Sequence, residues 1–386
     1  MVTLGEVVDI NPRLTSIVDP DEEVAFVPMA ELNSATGTTS LGTPRPFAEV
    51  SKGYTPFKNG DILVAKITPC FENMKIGHAR LSRELGMGST EFHVIRPVEE
   101  RLDHRYLLHF LRREEILRRG ELRMTGSGGQ RRVPAQFLST LQLQLPPLDE
   151  QRRIAAILDR AGSQLENTRR AASLLESLGQ AVFHQMFSDR NCETVLLGDL
   201  IAQHQLGLDK RTSELGPLGE FSYLKMDSIT RAGGLDLSRA TRVDCSPEEF
   251  EKYSLREGDL IFNTRNARNL VGKSTVYRGP ATIFNNNILR LRFAEAVQPD
   301  FIHQFLWSKD GRQQLDARKS GTTSVWAIYF KSLKTIKVPV PDLESQAEFS
   351  IRLRNVRTQV DRYRKREASL EKLLRSLESR AFRGDL

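Results

Sequence analysis

Cysteine is nearly absent. Cys70, Cys192 and Cys245 are odd in number and far apart, which excludes a disulfide framework and a closely spaced zinc site and leaves buried free thiols as the expectation. No stretch approaches the roughly 18 apolar residues that a membrane-spanning helix requires, and Met1 to Glu6 show no basic segment leading into an apolar one. A soluble, cytoplasmic protein without a membrane partner is expected. Catalytic signatures are missing too. Val271-Gly272-Lys273-Ser274 resembles the end of a phosphate-binding loop, but the first glycine of G-x-x-x-x-G-K-[ST] is replaced by Ala267. Nothing of the N-P-P-Y or D-P-P-Y kind appears, nor a glycine-rich site for a methyl donor. The segments around Asp61 and Lys66 and around Asp259 lack the second carboxylate of a nuclease, and histidines such as His78 and His184 are dispersed. The chain is therefore expected to have no catalytic residues, no metal ligands and no cofactor.

What is present is length and positive charge. A chain of 386 residues, 39% of them hydrophobic, is long enough for two globular cores. Lys and Arg number 56 against 49 Asp and Glu, a formal charge of +7. That excess favours an anionic partner and by itself leaves nucleic acid and acidic membrane both open.

The chain is also a duplication. Displaced by 195 residues, Tyr106-x3-Phe110-Leu111 falls on Phe301-x3-Phe305-Leu306, and Thr125-Gly126-Ser127 falls on Ser320-Gly321-Thr322. The same shift lays Leu138 on Leu333, Leu143 on Val338, Pro146 on Pro341, Leu148 on Leu343 and Gln151 on Gln346. Nearer the start of each half the shift drifts, so that Gly60-Asp61-Ile62-Leu63 matches Gly258-Asp259-Leu260-Ile261, and Ile76-Gly77 is matched with Val271-Gly272. Each half has one order of parts: a strand-rich segment, a short amphipathic helix, a small-residue loop, an alternating strand, a proline break and a long helical pattern.

The long helical patterns are the clearest periodic signal. Ile154, Leu158, Ala161, Leu165, Thr168, Ala172, Leu175, Gly179, Val182 and Met186 alternate steps of four and three, as do Phe349, Leu353, Val356, Val360, Tyr363, Glu367, Leu370, Leu374, Leu377 and Ala381. This is a coiled-coil seam. Antiparallel pairing in which partner numbers sum to 535 would set Thr168 against Glu367, Ala172 against Tyr363, Ala161 against Leu374 and Gly179 against Val356, while registers displaced by a heptad stay open. Roughly 38 helical residues would make a stiff spacer of about 57 Å between two similar modules.

The polar loops point to nucleic acid. In the first half Arg123, Ser127, Gln130, Arg131 and Arg132 surround a Gly-rich loop, where small residues let backbone amides approach phosphates and Arg or Gln reach base edges. The second half places Arg318, Lys319, Thr322, Thr323, Ser324 and Trp326 there. Further candidates follow the repeated Gly-Asp strand: Lys66, Thr68 and Lys75 in one half, Asn263, Arg265, Asn266, Arg268 and Lys273 in the other. Like positions with unlike side chains suit two modules that read different sequences.

Two segments carry a family resemblance. Leu145-Pro146-Pro147-Leu148-Asp149-Glu150-Gln151, opening a long helix, and the ending Arg380-Ala381-Phe382-Arg383-Gly384-Asp385-Leu386 resemble conserved regions of type I restriction-modification specificity subunits. The second copy departs from this motif, with Ser345 where Glu150 stands in the first. The resemblance spans the whole chain. It implies an α+β fold: two similar mixed α/β target-recognition domains, residues 1–145 and 191–340, joined by long antiparallel coiled-coil helices at 146–190 and 341–386, with pseudo-twofold symmetry. It also implies double-stranded DNA as ligand, with a split, asymmetric target. The partners would be two methyltransferase subunits, which use S-adenosylmethionine, and a restriction and translocation subunit that can join. Two competing readings are a stand-alone duplicated DNA-binding regulator and a helical protein-interaction adaptor.

Overall fold

The computed structural model describes residues 1–127, 129–188, 192–321 and 324–386. They form two compact units, Met1–Asn167 with Arg366–Leu386, and Thr168–Lys365. These boundaries cut through the long helices, Leu148–Phe187 and Leu343–Ala381, so that each helix contributes a half to each unit.

In the first unit a six-stranded sheet runs in the order Val8–Ile10, Phe92–Pro97, Ile62–Ala65, Ile76–His78, Thr38–Thr39, Leu32–Asn33. A second sheet holds Thr43–Pro46, Glu23–Val27, Leu85–Gly88 and Thr55–Lys58. The central strand is buried throughout, because Leu63 joins Val27, Phe57, Phe92 and Val94 on one face. Ile62 and Val64 join Tyr106, Leu107, Phe110 and the start of the long helix on the other. Covering both faces turns an alternating strand into a continuous apolar run.

The second unit repeats this plan. Its four-stranded sheet is Ile201–Leu206, Ile288–Phe293, Leu260–Asn263, Ser274–Val276, beside a five-stranded sheet. Ile261 faces Leu224, Tyr277, Phe284 and Ile288, whereas Leu260 and Phe262 face Phe301, Phe305, Phe349 and Leu353. A three-stranded ribbon, Arg265–Asn266, Trp326–Ala327 and Ser320–Gly321, stands at its edge.

Equivalent fastenings recur in both units. Asp61 accepts from Lys58 N at 2.7 Å and from the Arg96 fork at 2.8 and 2.7 Å; Asp259 accepts from Arg256 N at 2.8 Å and from Arg292 at 2.6 and 3.0 Å. The glutamine that ends the repeated proline motif is fully buried in each. Gln151 accepts from Asp103 N and donates to the carbonyls of Arg101 and Pro146; Gln346 does the same with Gln298 N, Ala296 and Pro341. A buried amide with all its partners explains the residue type at that position. The departure at Ser345 has a local reason: its backbone N–H and hydroxyl both donate to Asp342 at 2.8 Å, whereas Glu150 pairs with Arg153 at 2.7 Å.

The two long helices pair antiparallel within each unit. In the first, Ile154 and Leu158 share a core with Leu374, Leu377 and Ala381; in the second, Val182 and Met186 share one with Phe349 and Leu353. These shared cores establish the antiparallel sense that the 535 register and its heptad-shifted alternatives have in common. Gly179 differs from expectation. A Cβ there would lie 3.1 Å from Leu353 Cδ1, so the missing side chain admits Leu353, one turn from Val356.

The three thiols are free and half-buried rather than buried. Among the described residues no helix is long and apolar enough to cross a membrane, and no His, Cys, Asp or Glu cluster is placed to hold a metal ion.

Candidate nucleic-acid interface

The first unit's loop is held at its base by a main-chain bridge, Thr125 N to Arg132 O at 3.0 Å and Arg132 N to Thr125 O at 2.8 Å. Thr68 N donates to Arg131 O at 2.9 Å and Val133 N to Lys66 O at 2.9 Å, which ties the loop to the end of the Ile62–Ala65 strand. The structure therefore brings Lys66, Thr68, Arg131 and Arg132 together. Gly126 at φ +132° and Gly129 at φ +77° take backbone conformations that favour glycine; a Cβ at Gly126 would sit 2.5 Å from Gln130 O. Ser127 and Gln130 are exposed at the tip. Gly128 lies outside the described residues.

Charge is partly neutralised here. Arg132 grips Glu91 with Nε at 3.0 Å and Nη2 at 2.8 Å, and this holds the Glu91 carboxyl below its usual range. Thr68 Oγ1 donates to Glu72 at 3.0 Å, and Arg131 lies 3.9 Å from the same carboxylate oxygen. Arg123 sits apart, exposed, with Arg119, Leu122, Pro134, Gln136, Phe137 and Thr140 around an open groove of about 570 Å³.

In the second unit the corresponding place is the three-stranded ribbon. Arg265 is exposed with its guanidinium 5.8 Å from the Tyr329 ring centre, and Arg268 lies 4.8 Å from that of Trp326. Asn266 turns its side-chain oxygen onto Ala267 N at 2.8 Å. Lys319 bonds the Arg268 carbonyl at 2.8 Å and Asp316 at 2.6 Å. Arg268, Asn269, Asp316, Lys319 and Trp326 line a groove of about 420 Å³. Ser324 is exposed; Thr322 and Thr323 lie outside the described residues.

Several expected contacts are committed elsewhere. Lys273 is buried and donates to the carbonyls of Met226 and Ile229, and burial pushes its ammonium pKa down. Its counterpart Lys75 donates to Met29 O at 2.7 Å. Asn263 is fully buried, its amide without a hydrogen-bond partner among the described residues, and faces no solvent. Arg318 is spent on Gln314 O at 2.7 Å, Thr335 Oγ1 and O both at 2.9 Å, and Ser332 O at 3.2 Å. Lys75, Lys273 and Arg318 are scaffold, because a donor satisfied inside the fold must give up that bond to reach a ligand; Asn263 is out of a ligand's reach because it is wholly buried.

The hairpin register also corrects the matching of the halves. Ala65 N bonds Lys75 O and Asn263 N bonds Lys273 O, so Lys75 matches Lys273, and Gly272 corresponds to Met74 rather than Gly77. Both have positive φ, +84° and +56°. The apparent phosphate-loop glycine is a turn residue. Sequence reading missed Glu72, Glu91 and Arg119; the two carboxylates have no pattern of their own, and only the clustering of Lys66, Arg131 and Arg132 asks for them.

Two copies of one scaffold, alike in their fastenings and unlike in their exposed polar loops, define a duplicated, modular protein. The family model of the type I restriction modification DNA specificity domain matches residues 1–175 and 190–372, and the chain belongs to that family. It is 40% identical over 153 residues to the type I restriction enzyme EcoAI specificity subunit of Escherichia coli, covering 39% of this chain and 26% of that protein. The chain thus spans about a quarter of that relative's length. To the EcoKI specificity subunit of Escherichia coli K12 it is 24% identical over 342 residues, 81% of this chain and 71% of the other. In fold it resembles the type I restriction-modification S subunit from M. genitalium, with a TM-score of 0.56 at 16% identity over 98% of this chain and 95% of that one. A chain from a structural study of assembly and conformational transition in the type I R-M system gives 0.59 at 20% identity, over 100% and 97%.

Proposed function

We propose that this chain is the non-catalytic DNA-recognition subunit of a type I restriction-modification assembly, in which each unit reads one half of a split, asymmetric double-stranded target. The observation that carries this reading is the divergence of the loops on a shared frame: Lys66, Glu91, Arg131 and Arg132 in one unit stand where Thr264, Asn287, Trp326 and Ala327 stand in the other. At these matching positions around the loop, charged side chains in one unit replace small, neutral or aromatic ones in the other, and such a difference suits different base sequences, since base edges are read by side-chain donors and acceptors.

The partners proposed are two methyltransferase subunits docked on the long helices, with S-adenosylmethionine as their cofactor and not this chain's, and a restriction and translocation subunit that joins them in the cytoplasm. Co-expression with a methyltransferase subunit of the same system tests the reading. A stoichiometric complex that methylates adenine at one bipartite sequence, mapped by sequencing modified bases, is expected. A chain that binds one site tightly without a partner would be a regulator, and a complex without sequence preference would make it an adaptor.

A further inference from the structure

Arg132 and Glu91 form a unit whose geometry selects what it can touch. A guanidinium has five N–H groups in a plane. Here Nε and Nη2 are turned inward onto the two Glu91 oxygens, and Nη1 makes a long contact of 3.3 Å with Gln130 O. One N–H of Nη2 and one of Nη1 stay on the outer edge, side by side. The Arg132 side chain is 41% exposed and Glu91 25%, so with Nε and Nη2 occupied by the carboxylate the outer edge is the part of the guanidinium left to meet a ligand. Such an edge fits two adjacent acceptors, as O6 and N7 of guanine present them in the major groove.

We infer that Arg132 reads a guanine in the half-site of the first unit and that Glu91 is the positioning residue that aims it. This rests on the DNA-recognition reading above. A phosphate also offers two acceptors, but the charge argues against it. The Arg132 and Glu91 pair is neutral, so it gains little from an anion, and the carboxylate repels one; a guanine edge is uncharged and meets no such penalty. Lys66, whose charge acts on the same carboxylate, is the cation here that suits a phosphate. At the matching positions the second unit has Asn287 and Ala327, which cannot form such a pair. The asymmetry confines the effect to one half of the target.

The test uses the full chain co-expressed with its methyltransferase subunit, and a DNA library randomised across both half-sites at several salt concentrations. Arg132→Ala and Arg132→Lys are expected to lower the preference for guanine about 10- to 100-fold at one position of one half-site, since an ammonium cannot span two acceptors. Glu91→Gln, which keeps shape and removes charge, is expected to lower it several-fold at that same base with unchanged melting temperature, and Glu91→Asp to restore part of it. Lys66→Met is expected to weaken all sequences alike and to reduce the salt slope by about 1. Uniform weakening by Arg132→Ala with a reduced salt slope would make Arg132 a phosphate ligand and overturn the inference, as would an unaltered base preference, while leaving the recognition reading intact. Loss spread over several bases in Glu91→Gln, or a lowered melting temperature, would make Glu91 merely structural. A parent complex with no sequence preference would instead overturn the recognition reading itself.

Discussion

The two units keep several of the same internal fastenings and differ in the side chains around the outward loop. Asp61 with Arg96 and Asp259 with Arg292, Gln151 and Gln346, Lys75 on Met29 and Lys273 on Met226 are pairs of equal role. Against them stand an exposed Arg123 and a fully engaged Arg318 at matching positions, and an Arg132 and Glu91 pair matched by Ala327 and Asn287. The difference separates the residues that build a frame from those that can diversify. A buried donor is fixed by the acceptors around it, so changing it leaves them unpaired; an exposed loop side chain has no such obligation.

Unequal frames would show first in stability. Arg96→Ala and Arg292→Ala each strip the fork from a carboxylate that is only 3 or 4% exposed. Each is expected to destabilise its own unit by about 3 kcal/mol, at the low end for a buried pair because the arginines are partly exposed. Hydrogen exchange under increasing urea, followed separately in the two units, checks this; a large cost in one and none in the other would end the equivalence.

A smaller effect sharpens the contrast. His303 is buried beside Asp300, Arg357, Arg312 and Arg278, and burial holds its pKa down to about 3, against 6.5 in an unfolded chain. Its match in the first unit is Leu108. As pH falls from 6.5 toward 3, the unfolded chain takes up a proton that the folded one refuses, so stability is lost across that window, by up to about 1.4 kcal/mol per pH unit. His303→Leu is expected to remove this share of the acid sensitivity of the second unit and leave the first unchanged, as read from urea midpoints between pH 7 and 4.5. An unaltered pH slope in the variant would show that His303 is not the group responsible.

On DNA, Arg265→Ala with Arg268→Ala is expected to weaken binding about tenfold and to lower the salt slope by about 2, with the base preferences of the first half-site intact. Altered preference in that other half would mean the units do not read independently. The smallest effect is expected of Lys273→Met and Lys75→Met, which remove a charge without removing a DNA contact: the salt dependence of binding should not move. A slope reduced by about 1 in either variant would return that lysine to the interface.

The duplication, the heptad seams and the proline motif were legible because each rests on a repeated burial pattern, which periodicity reports directly. Ile154, Leu158, Phe349 and Leu353 are core in the structure as their spacing demands. The loop cations were not separable in the same way. Lys66, Lys75 and Lys273 look alike in sequence, and only the path of the chain around Met29 and Met226 decides which ammonium turns inward. Asn263 ends a strand legible as Asp259-Leu260-Ile261-Phe262-Asn263, but nothing in its residue type says that its amide turns into the core rather than toward a ligand. The mismatch of Gly77 with Gly272 has a similar origin: Met74 at φ +56° does without glycine what Gly272 does with it, so the residue that marks the turn in one half is invisible in the other.

The buried glutamines have a mechanical consequence. Gln151 and Gln346 each sit in the first turn of a long helix and stitch it to two segments of the adjoining globule, the residue before a short helix and the proline strand. A joint made of three hydrogen bonds with no solvent access does not swivel. Within its own unit, the start of each helix and the segments it is stitched to are therefore fastened as one piece.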